Sequence, residues 1–217
     1  MKLPSDQFIA ASKALQRLKK KGIINSLSPG KFYKPVKSIF GELKPAENEI
    51  VKLYIKKGKK RIAYITGIYL YNSMGLTTQI PNYMRIASYD KRISCNTSTI
   101  RIKSAKSYVE VTDNNYKLLQ LLDVLKDFNK IPDLDRRSAI ELITTRFISL
   151  SKKVINEIVK LSLKYPPRVR AFLGSILENL GFTNEIKKLK ESINPLSTFK
   201  ISLNDRILPT IKNWNIK

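Results

Sequence analysis

Apolar residues recur at helical spacing near the front of the chain. Phe8, Ala11, Leu15 and Leu18 share one face of a helix beginning near Ser5, while Ser12, Lys13, Gln16, Lys19 and Lys20 make the rest polar and mostly cationic. Gly22 follows the last apolar repeat, where a glycine commonly stops a helix. Ile23 and Ile24 then open a strand, Pro29 and Gly30 fit the second and third positions of a type II turn, and Phe32 with Tyr33 forms the return strand. The pattern predicts an amphipathic helix over residues 5–21 that runs into a short basic hairpin.

The periodicity changes twice further on. Pro45, Glu47 and Glu49 place proline and acids in the first turn of a helix reaching about Lys57, and the run from Lys56 to Arg61 is a basic turn. Arg61 to Ile65 has the apolar density of a buried strand, and Thr66 is positioned to cap a short helix that Gly75 ends. From Asn82 the period is two: Met84 to Ala87, Arg92 to Ser94 and Ile100 to Lys103 predict an antiparallel meander, with turns at Tyr89–Lys91 and Asn96–Ser98. From Asp113 the pattern is helical, with a strong stripe at Leu118, Leu122 and Leu125 widened by Leu119 and Leu121. Helices follow over 136–149, 152–164, 166–180 and, more weakly, 184–192. Residues 194–217 carry the single Trp214 and are expected to form an ordered tail docked on the body.

The expected fold class is therefore α+β. A winged-helix-like N-terminal unit at 1–40 supplies a recognition helix and wing, 41–110 a small α+β unit, 111–193 a C-terminal helical bundle, and 194–217 the tail. A winged-helix domain has two helices before its recognition helix. Only seven residues precede Phe8, so the N-terminal unit is expected to be truncated.

Charge sharpens this picture. The net charge is +24, and residues 1–110 hold 22 Lys+Arg against 6 Asp+Glu, so the positive field is concentrated in the front half. Such a field attracts polyanions through counterion release. Thirty of the 41 cations are lysine, beside 27 isoleucines, which is also the signature of an AT-rich genome. No apolar run approaches the roughly 18 residues of a membrane span. The start, MKLPSDQ, has no signal-like apolar segment, so a cytoplasmic protein is expected. With no histidine and one cysteine, Cys95, the chain has no Ser/His or Cys/His nucleophilic pair, no histidine-bearing metal site and no imidazole acid or base. No catalysis and no cofactor are expected.

The candidate residues follow from the helix and hairpin. Lys13 and Gln16 are placed to meet base edges in a major groove, with Ser12, Arg17, Lys19 and Lys20 around them and Lys31 and Lys34 on the wing to neutralise phosphates. A solvated basic helix packed on a hairpin would show the same pattern. Thr77, Thr78 and Gln79 offer three consecutive hydrogen-bonding side chains in a loop that could meet a partner, though such loops are also ordinary. Arg168 and Arg170 fall in a first helical turn, where the dipole disfavours cations, so each requires an anionic neighbour: Asp133 or Glu141 internally, or an acidic partner surface. Asp133 and Asp135 could hold Mg2+ for a nucleic-acid enzyme, but their place just before a helix makes capping the better expectation.

The segments KALQRLKKKGII, GKFYKP, FGELKP, RIAYITG, GLTTQIP and YPPRVRAFLG together resemble the AbiEi-like antitoxin family of bacterial type IV toxin-antitoxin modules, over about Ala10 to Leu180. The resemblance implies a winged-helix DNA-binding domain followed by an antitoxicity domain. It implies a repressor of its own operon that binds double-stranded operator DNA and opposes a nucleotidyltransferase-type toxin, with no membrane partner. Lys13, Gln16, Arg17, Lys31 and Lys34 match the positions of that family's recognition helix and wing. The competing expectation is a basic interaction module that binds an acidic protein without binding DNA.

Overall fold

The computed structural model describes residues 5–28, 30–39, 41–43, 45–97 and 100–217. Helix α1 spans Ser5–Lys20. Gly22, at φ 67°, ends it by letting the Ile23 N–H donate to the Leu18 carbonyl and its own N–H to the Lys19 carbonyl, each at 3.0 Å. Strands β1 (Asn25–Ser28) and β2 (Lys31–Tyr33) pair antiparallel, Asn25 opposite Tyr33, with a bulge after Ser26. Gly30 adopts φ 72°, as the third position of a type II turn requires; Pro29, and Ser98 of the other expected turn, lie outside the described residues. A second hairpin joins β3 (Val36–Ser38) to β4 (Gly41–Leu43), and α2 (Glu47–Ile55) follows with Glu47 and Glu49 in its first turn.

Residues 1–54 and 95–101 form one compact unit. Its core is small: Leu27, Ile50, Val51, Tyr54 and Ile100. Among the described residues α1 contributes no fully buried side chain, and Phe8 is 66% and Leu18 37% exposed. The stripe that the periodicity marks as a core face is thus largely open in this unit.

Residues 55–94 and 102–217 form the second unit. It opens with a hairpin of β5 (Lys56–Lys57) and β6 (Lys60–Arg61), turned at Gly58. Strand β7 (Ala63–Thr66), helix α3 (Ile68–Ser73) and strand β8 (Met84–Ser88) follow. After β9 (Cys95–Asn96), which falls in the first unit, β10 (Arg101–Lys106) joins the main sheet. β7 and β8 are antiparallel, Ile65 opposite Ile86, while β10 lies on the other side of β8 and runs parallel to it, Ser104 opposite Ile86. The expected meander is therefore corrected. Arg92–Ser94 forms no strand, so the chain returns along the sheet before β10 enters in the direction of β8. Thr66 is likewise not the cap of α3, because Gly67 at φ 76° holds that position.

Helices α4 (Tyr116–Asp127), α5 (Arg136–Ile148), α6 (Lys152–Ser162), α7 (Pro167–Asn179) and α8 (Lys187–Glu191) build the rest. Leu118, Leu119, Leu122 and Leu125 of α4 are buried, as their stripe predicts. One core runs from Tyr64 in the sheet through these helices to Ile216, so sheet, helices and tail close around the same apolar interior. The tail docks through a 3-10 turn at Pro209–Trp214 and a bridge between Phe199 and Ile216. The fold is α+β, and no helix among the described residues is long and apolar enough to cross a membrane.

Candidate functional site

Ser12, Lys13, Gln16, Arg17, Lys19 and Lys20 are all exposed on α1. Lys13, Gln16 and Lys20 recur at i, i+3 and i+7 and so share one side of the helix, away from the apolar stripe. Arg17, Lys19 and Lys20 occupy the last turn, where the negative end of the dipole favours cations. No ion pair among the described residues engages Lys13, Arg17, Lys19 or Lys20. The face offers four cations and two hydrogen-bonding side chains, the composition a phosphate-flanked groove would meet.

The two wing lysines differ. Lys34 is exposed, as expected, between β2 and β3. Lys31 is folded back: its Nζ donates to the Leu53 carbonyl at 2.9 Å and lies 3.0 Å from the centre of the Tyr54 ring. Partial burial draws its pKa below the ordinary lysine value, with Cys95 opposing the shift. Lys31 therefore satisfies an end carbonyl of α2 and ties the hairpin to it, instead of projecting to a phosphate.

The expected partner residues are also separated by the structure. Thr77 is buried and closes a local turn, its hydroxyl accepting from the Gln79 N–H at 3.2 Å and its carbonyl from Asn72 Nδ2 at 3.1 Å; Thr78 and Gln79 are exposed. Arg168 and Arg170 meet neither Asp133 nor Glu141. Arg168 Nη2 donates to the Lys126 carbonyl at 2.6 Å and Arg170 Nη1 to the Ser192 carbonyl at 2.8 Å. Both carbonyls lie at helix C-termini, so the negative ends of α4 and α8 supply the anionic neighbours. Asp135 caps α5, accepting from the Ser138 N–H at 3.0 Å, and the Ser138 hydroxyl, then this N–H, hold its carboxyl below the ordinary aspartate range. Asp133 sits in the left-handed region at φ 52°, and no group of three or more His, Cys, Asp or Glu gathers among the described residues.

Sequence reasoning missed a buried carboxylate. Asp123 is fully buried on α4 and accepts four hydrogen bonds: at Oδ2 from Thr66 Oγ1 (2.7 Å) and Tyr64 OH (3.1 Å), at Oδ1 from Lys126 Nζ (2.5 Å) and Tyr165 OH (3.5 Å). Tyr71 OH donates to Asp127 Oδ2 at 2.8 Å and reaches the Asp123 carbonyl at 3.3 Å. Burial, and then the Asp123 charge, push the Tyr64 and Tyr165 hydroxyls far above the ordinary tyrosine range, so both remain donors. RIAYITG and YPPRVRAFLG thus meet on one side chain. The available signal was a lone charge inside the apolar run Leu121–Leu125.

Residues 6–146 match the model of a family of unknown function, DUF6088, and the chain belongs to that family. No curated protein matches it. The matched span contains α1 from its second residue, both hairpins of the first unit, the main sheet and Asp123, and ends before α7.

Proposed function

We propose that this protein is an antitoxin-type, DNA-binding transcriptional autoregulator of a bacterial toxin-antitoxin module, acting in the cytoplasm without catalysis of its own. The observation that carries this reading is the exposed basic side of α1, which continues directly into a hairpin and whose cations have no ion pair among the described residues. The resemblance to AbiEi-like antitoxins supports the regulatory part and a nucleotidyltransferase-type toxin as the opposed partner. In the mechanism, α1 enters a major groove, Lys13 and Gln16 meet base edges, and Arg17, Lys19, Lys20 and Lys34 neutralise flanking phosphates. Lys31 acts one step away, by fixing the wing on α2.

The test is a salt titration of binding to the DNA just upstream of the gene. Arg17→Gln with Lys20→Gln is expected to lower affinity roughly tenfold and the slope of log K against log salt by about 2, at ~0.9 per phosphate contact. Absence of any complex at about 50 mM salt would sink the repressor reading. The open apolar stripe at Phe8 and Leu18 favours a second reading, an interaction module for an acidic protein. A complex with the product of the neighbouring gene that survives nuclease treatment, from a chain that gives no DNA shift, would select it.

A further inference from the structure

Hairpin β5–β6 sets cation against cation at both of its pairs, Lys56 opposite Arg61 and Lys57 opposite Lys60. Like charges directly opposite each other weaken a two-stranded ribbon. The fold relieves only one strand. Lys60 Nζ lies 2.8 Å from Glu110 Oε1, and Arg61 Nε lies 2.9 Å from Asp113 Oδ1, its guanidinium 3.8 Å from the Tyr116 ring centre. Lys56, Lys57 and Lys59 are exposed and engage no ion pair among the described residues.

Further cations gather at the same end of the main sheet, and Ser88 is the junction. It pairs with Ala63, just beyond β6, on one side and with Lys106 on the other, and its hydroxyl donates to the Lys91 carbonyl. The hairpin, the Lys91–Arg92 segment and the end of β10 therefore converge. Lys91, Arg92 and Lys106 are exposed and likewise engage no ion pair among the described residues, while Asp90 is close enough to act on Lys60.

We propose that this sheet end is a second polyanion-contact surface, one that grips nucleic-acid phosphates without reading sequence. Its six exposed cations, five of them lysines, present the row of point charges that a phosphate backbone meets along its length. Tyr89, 53% exposed in the same turn, adds an aromatic face on which an unpaired base can stack. Phosphates placed among the hairpin lysines relieve the repulsion that burdens the free hairpin. The inference rests on the DNA-binding reading for its class of partner and uses no residue of α1.

The experiment measures the full chain against its upstream duplex and a random-sequence duplex across a salt series. Lys56→Gln, Lys57→Gln and Lys59→Gln together are expected to lower affinity for the random duplex at least tenfold at about 50 mM salt and the salt slope by about 2 to 3. The preference for the upstream duplex should survive this triple change and fall with Lys13→Gln and Gln16→Ala, the two positions set against base edges. Unchanged affinity and slope in the triple variant overturn the proposal. Loss of poly-L-glutamate binding with DNA binding intact overturns it too, in favour of an acidic protein. If the parent shows no preference for its upstream duplex while the triple variant still loses random-duplex affinity, the regulator reading falls and this surface stands. Because the changes remove like-charge pairs, the thermal midpoint is expected at or above the parent's, which separates weakened binding from unfolding. Lys57→Glu, opposite Lys60, is a second probe: a chain carrying it that binds random duplex like the parent counts against the proposal.

Discussion

Replacing Asp123 with alanine is expected to destabilise the protein by about 3–5 kcal/mol, the range for removing one partner of a buried charged pair. The carboxylate is fully buried and its four acceptor positions are all used, by Thr66, Tyr64, Lys126 and Tyr165. Alanine would remove the acceptor that all four donors share. Tyr64 and Tyr165 are themselves buried, and a buried hydroxyl left without a partner costs about 1–3 kcal/mol. The Lys126 side chain retains a route to water, being 21% exposed, which keeps the loss from growing further. Asp123→Asn should fall between parent and alanine, because its NH2 turns one acceptor into a donor that faces other donors. Tyr64→Phe removes one of four donors and should cost only about 1 kcal/mol. Urea unfolding is the measurement, with a shifted midpoint and an unchanged m-value. A loss below about 1 kcal/mol for Asp123→Ala would show that the cluster does not hold the sheet to α4 and to the segment leading into α7.

What the sequence disclosed and what it concealed divide along a physical line. The extent of α1, its stop at Gly22 and the stripe of α4 depend on neighbours three to five residues away, and all three are present as read. Partners that come from distant segments were not visible. The stripe at Phe8 and Leu18 has the same spacing whether or not another element covers it, and in the first unit it is left open. Lys31 looks like a solvent-facing wing cation until the end of α2 brings the Leu53 carbonyl beside it. For Arg168 and Arg170 the sequence offers only formal charges, Asp133, Glu141 or an acidic partner surface, whereas their partners are carbonyls whose charge exists only once α4 and α8 have formed. The parallel entry of β10 was hidden for a related reason: period-two alternation marks a strand but not its direction, and the silent segment Arg92–Ser94 reverses the expected order.

Gly174→Ala should also be strongly destabilising, against the usual preference of helices for alanine. Gly174 lies within α7, where alanine would ordinarily gain up to about 1 kcal/mol over glycine. A Cβ at this position would come within 3.0 Å of three atoms of the Trp214 ring, Cη2, Cζ3 and Cζ2, nearer than real Cβ atoms approach. The ring has little freedom to yield: it is 3% exposed, and its Nε1 donates to Glu178 Oε2 at 2.6 Å on the same helix. Either the tail leaves its seat or α7 shifts within a filled core, and overpacking of this kind costs about 1–3 kcal/mol. The sign should depend on the indole. With Trp214→Ala in place, itself costing about 3–5 kcal/mol, Gly174→Ala should become neutral or stabilising, and that reversal measures the contact directly. Limited proteolysis supplies the structural readout, since undocking exposes residues 194–217 to cleavage that the parent resists. A Gly174→Ala chain that melts at or above the parent temperature with its tail protected would show that the indole is not locked against α7.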